Sequence, residues 1–162
     1  SKSALFIEVM RFNTTNYVNL IKDAVNAETT FMNQFNAYMA AHHEIIRENY
    51  ATTGIFINTP SALIAAAEGG KEVVCILLEA HQKVTKIIGS ILTQGMNEKI
   101  IKHIDIPFVS DMIFQTVNRS AVRISHHLFS DQEIKTELEH LIDFIFNGIT
   151  LSYASKGDQY VI

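Results

Sequence analysis

The sequence has 162 residues, 48% of them hydrophobic and 19% charged, with a formal net charge of −4. This much apolar material excludes a disordered chain, and an acidic balance without a basic stripe excludes gripping nucleic acid by charge alone. The single cysteine, Cys75, excludes an internal disulfide framework and suits a reducing, cytoplasmic setting; no secretory leader and no membrane-spanning run of about 18 apolar residues is read.

Apolar residues recur at three and four positions almost throughout. That period is helical, so the chain reads as all-α, one domain over residues 1–162 with about six helices. A first helix is expected from about Ser3 to Asn26, with Leu5, Val9, Phe12, Asn16, Leu20 and Val25 along one side. A second is expected from about Ala27 to Tyr50, with a stripe of Phe31, Met32, Phe35, Tyr38, Met39, His42, Ile45 and Ile46 and a stop at Gly54. Thr59-Pro60 is a cap followed by a first-turn proline, opening a short helix to about Ala67 that Gly69-Gly70 ends.

A long central helix follows, from about Lys71 to Thr93, ended by Gly95. Its stripe is Val73, Val74, Leu77, Leu78, His81, Val84, Thr85, Ile88 and Leu92. Asp105 and Pro107 open a penultimate helix to about His127. Ser130 and Glu133 have capping-box spacing and open a last helix from about Asp131 to Asn147, stopped by Gly148. The tail from Ser155 is expected to fray.

The penultimate helix carries Val109, Ile113, Val117, Ser120, Ala121, Ile124 and Leu128 on one side, and Phe108, Met112, Gln115 and Arg119 on the other. The last helix adds Phe144 and Phe146 to a stripe of Ile134, Leu138, Leu141, Ile142, Ile145 and Ile149. A helix apolar most of the way round needs cover on more than one side. Either the long central helix supplies it, or a second copy does. The expectation is a homodimer held by a four-helix bundle, with Val117, Ala121, Ile124, Leu138, Leu141, Ile142, Ile145 and Phe146 at the interface.

Ser1-Lys2-Ser3-Ala4-Leu5-Phe6 resembles the junction in TetR-type transcription regulators where the DNA-recognition helix hands over to a long connecting helix. The order of elements is similar to the family's: two long helices, a short one, a long one, then two that form the dimer bundle. The resemblance implies a TetR effector-binding and dimerisation domain, cytoplasmic, whose DNA contact runs only through an N-terminal helix-turn-helix that this sequence lacks. It also implies a small-molecule effector held within each subunit. The inward residues that would line the pocket are Phe31, Phe35, Tyr38, His42, Leu78, His81, Thr85, Phe108, Met112, Gln115 and Arg119. Such a set, mostly apolar with a few placed polar groups, suits a largely apolar effector. The plainer account of each Phe or Met is core packing, and of each His a core residue with a hydrogen-bond partner. Arg119 reads either as a carboxylate-recognising group or as an exposed residue.

Enzyme chemistry finds little support. Glu137-Leu138-Glu139-His140 contains one Glu-x-x-His, the spacing of helical di-iron sites, but those need two such motifs and further inward glutamates. Adjacent pairs such as His42-His43 point about 100° apart on a helix and do not converge on one ion. No nucleophile elbow or phosphate-cradling loop is present. No metal or cofactor is expected, and the alternative to a regulator is a stand-alone helical module that binds a small molecule without a DNA role.

Overall fold

The computed structural model describes residues 2–48, 69–126 and 130–150. Within them the protein is all-helical. The five helices are α1 (Lys2–Asn26), α2 (Phe31–Glu48), α3 (Gly70–Asn97), α4 (Ile106–His126) and α5 (Asp131–Ile149). The expected short helix, its flanking signals at Gly54 and Thr59-Pro60, and the tail lie outside the described residues. No described helix is long and apolar enough to cross a membrane.

Local chemistry sets the helix ends. Thr30 Oγ1 accepts from Asn33 N–H at the start of α2, and Glu98, beyond the end of α3, accepts from Phe31 N–H there as well. Asp105 Oδ1 accepts from Phe108 N–H, capping α4. Ser130 and Glu133 form the reciprocal capping box that their spacing predicts. The left-handed Gly69 (φ 75°) precedes α3, and a Cβ there would come within 2.9 Å of Ile7 Cδ1 on α1.

Two glycines expected as stops lie inside helices. Gly95 is buried in α3, where an added Cβ would meet the Phe31 ring at 2.7 Å. The glycine lets α2 approach rather than ending α3. The helix ends two residues later at Asn97, and Lys99 just beyond it takes φ 59°. There Ile100 N–H donates to Gly95 O and Lys99 N–H to Met96 O, the paired bonds of a Schellman motif. Gly148 also sits within α5, and nothing lies within 4 Å of where its Cβ would be.

Helix α1 packs on α2 and α3, α2 also on α3 and α4, and α4 on α3 and α5. The core is built from Val18, Ile21 and Val25 of α1, Phe31, Phe35, Tyr38 and Met39 of α2, Val84, Ile88, Ile91 and Leu92 of α3, Ile113 and Val117 of α4, and Leu141, Ile145 and Ile149 of α5. Each large side chain fully buried there contributes about 1.5–3 kcal/mol relative to exposure. An isolated antiparallel bridge between Ile101 and Thr150 ties the α3–α4 connection to the end of α5.

The buried side of α1 differs from the expected one. Met10, Val18, Ile21 and Val25 are buried, whereas Leu5, Val9, Phe12 and Leu20 are exposed, Phe12 by 72%. The helix is apolar on two sides, and α2 and α3 cover the one that carries Ile21. The central helix departs less: Ile76, Ala80 and Ile91 join the buried stripe, and Leu78 leaves it.

Candidate functional site

The α2 stripe Phe31, Phe35, Tyr38, Met39 and His42 follows helical spacing, and all five side chains are buried. The first part is an aromatic core: Phe35 meets Phe146 at 5.0 Å between ring centroids and Tyr38 at 6.3 Å, both edge-on. The second part is polar. Tyr17 of α1 places its hydroxyl 2.8 Å from His42 Nδ1. Tyr38, one helical turn before His42, has its ring centroid 5.8 Å from the imidazole. Phe114 of α4 closes another side at 6.2 Å, edge-on, and on its other flank meets His81 of α3 at 4.5 Å. Three helices, α1, α2 and α4, thus converge on one buried imidazole, and α3 reaches it only through Phe114.

Burial governs the ionisation of this cluster. His42 is fully buried and its pKa is pushed down to about 3, first by desolvation and then by its neighbour His43. Desolvation also lowers His43, against the opposing pull of its bond to the Met39 carbonyl and of Glu137. The phenols of Tyr17 and Tyr38 are both raised by burial. At neutral pH the site holds a neutral imidazole and two neutral phenols.

Hydrogen bonding in the cluster is incomplete. His43 Nδ1 donates to Met39 O at 2.8 Å, the usual back-bond of a helix residue. His42 Nε2, Tyr38 Oη, His43 Nε2 and, on α4, Ser110 Oγ and Ser120 Oγ are buried without a hydrogen-bond partner among the described residues. Buried polar atoms are ordinarily paired, so each such atom calls for an occupant or a cost. His81 Nε2 stands 2.9 Å from Asp111 Oδ1, an ion-pair distance lacking the alignment of a hydrogen bond.

The residues expected to line a pocket divide into two groups. Phe31, Phe35, Tyr38 and His42 are interior, and His81 and Thr85 are half-buried, the Thr85 hydroxyl bonding back to His81 O. Leu78, Phe108, Met112, Gln115 and Arg119 are exposed and do not join the cluster. Leu78 faces outward on α3, and the other four, all on α4, are a correction with one cause. Helix α4 turns its more apolar side, Ile113, Val117, Ala121 and Ile124, into its own chain, and so presents the Phe108–Arg119 side to solvent.

The expected dimer residues move correspondingly. Val117, Ala121, Ile124, Leu141 and Ile145 are buried within the chain, and Leu138, Ile142 and Phe146 are half-buried, with Phe146 packed on Phe31 and Phe35. The apolar surface left uncovered on this helix pair comprises Phe108 (65% exposed), Met112 and Phe144 (71%). Between α4 and α5 lies an open groove of about 750 Å³, floored by Val109, Ile113, Ile145 and Ile149 and rimmed by Met112, Phe144, His140 and Asp143. Among the described residues, no three of His, Cys, Asp and Glu gather as metal ligands.

Tyr17, Phe114 and His43 are site residues that the sequence reading missed. Tyr17 lies one position before Val18 and four before Ile21, on the side of α1 that is buried. Choosing that side would have brought it forward as a partner for His42. No family model, no curated protein and no solved structure matches this chain.

Proposed function

We propose that this chain is the effector-sensing and dimerisation part of a TetR-type transcription regulator of the cytoplasm, its DNA contact made by an N-terminal helix-turn-helix outside the sequence. The observation that carries the sensing role is the pair of half-buried Tyr17 and fully buried His42, with Tyr38 beside it unpartnered among the described residues. A helical core has no packing need for this many unpaired polar atoms, and each costs free energy until something pairs it. The order of long helices, with the last two adjacent, agrees with the resemblance.

The mechanism is population shift. Tyr17 belongs to α1, the helix that the resemblance makes the connection to the DNA-reading head. An effector seated against His42 acts on α1 through one hydrogen bond. If it binds one placement of α1 more tightly, it changes the spacing of two heads in a dimer, and with it the fit to operator half-sites. The dimer face we assign is the uncovered surface of α4 and α5, centred on Phe108, Met112 and Phe144.

The test has two parts. The gene should encode a helix-turn-helix ahead of Ser1, and the protein that includes it should lose its operator when effector is added, read by gel shift. A gene encoding no such segment overturns the regulatory role and leaves a stand-alone binding module. The 162-residue chain itself, with net charge −4, should not select a DNA sequence at physiological salt.

A further inference from the structure

We draw no further inference here: the strongest candidate, the outward apolar stripe of Leu5, Val9, Phe12 and Leu20 along α1, is an unpartnered helix face, and nothing in the structure shows what covers it.

Discussion

Half-buried Tyr17 on α1 and fully buried His42 on α2 share a 2.8 Å hydrogen bond. Each is the only polar partner that the described residues give the other's bonded atom, so neither can be removed alone without leaving a buried group unmet. Tyr17→Phe should therefore destabilise the fold by about 1–3 kcal/mol, the cost of an unsatisfied buried polar group. Tyr17→Phe combined with His42→Leu should recover part of that loss, because both partners become apolar. Urea denaturation of the two variants checks the coupling, and simple additivity would contradict it.

Stability should fall as the solution is acidified. An unfolded histidine takes up a proton below about pH 6.5, whereas His42 in the folded protein resists protonation until about 3. Between those values the unfolded state binds more protons, so folding stability is lost as pH drops, by up to about 1.4 kcal/mol per pH unit from His42. His43, also lowered, adds in the same direction. Glu133, held low by its bonds to Ser130, contributes only at more acidic pH. Denaturation midpoints between about pH 7.5 and about pH 5 should decline in the native protein and flatten in His42→Leu. Equal slopes in the two proteins would refute this account.

Spacing and end signals made the helices readable where each helix offers one apolar side. Helix α2 is the clearest case: Phe31, Phe35, Tyr38, Met39 and His42 were placed inward and are buried, whereas Met32, placed in the same stripe, is 40% exposed. The capping box at Ser130 and the cap at Asp105 also appear where the residues put them. Helices α1 and α4 were harder because each has apolar residues on two sides. Which side is buried depends on the neighbours it meets, and single-helix periodicity carries no information about neighbours. That ambiguity hid Tyr17, reversed Phe108 and Met112, and assigned Val117 to a partner copy when α4's own chain buries it. Gly95 and Gly148 were read as stops because glycine's local preference is visible in sequence, whereas the Phe31 ring that needs the space at Gly95 is distant in the chain.

The two helical glycines should respond oppositely to alanine. At Gly95 the new methyl would lie 2.7–3.0 Å from three atoms of the fully buried Phe31 ring. The ring must shift within a packed core, and Gly95→Ala should cost about 1–3 kcal/mol. At Gly148 the methyl enters open space. Gly148→Ala should be neutral or stabilise α5 by up to about 1 kcal/mol, since alanine loses less backbone entropy in a helix. Thermal unfolding of both variants is the measurement, and an unaffected Gly95→Ala would mean that α2 and α3 do not approach as described.

The position of the uncovered apolar surface decides which substitutions should separate two copies without unfolding one. Phe144 is 71% exposed in the single chain, whereas Leu141, three residues earlier on the same helix, is buried at 8%. A charge at Phe144 meets water in a monomer and an apolar partner in a dimer. A charge at Leu141 meets the protein's own core in either state. The native domain should therefore scatter light as about twice its 18.2 kDa mass at micromolar concentration. Phe144→Lys should scatter as a monomer with its helical circular dichroism intact, while Leu141→Glu should lose structure, because it buries an unpaired charge. If Phe144→Lys remains dimeric while a charge placed on the exposed stripe of α1, at Phe12, dissociates the copies, the interface lies on α1. The α4–α5 face would then have to be given up as the dimer surface, and with it the proposed four-helix bundle.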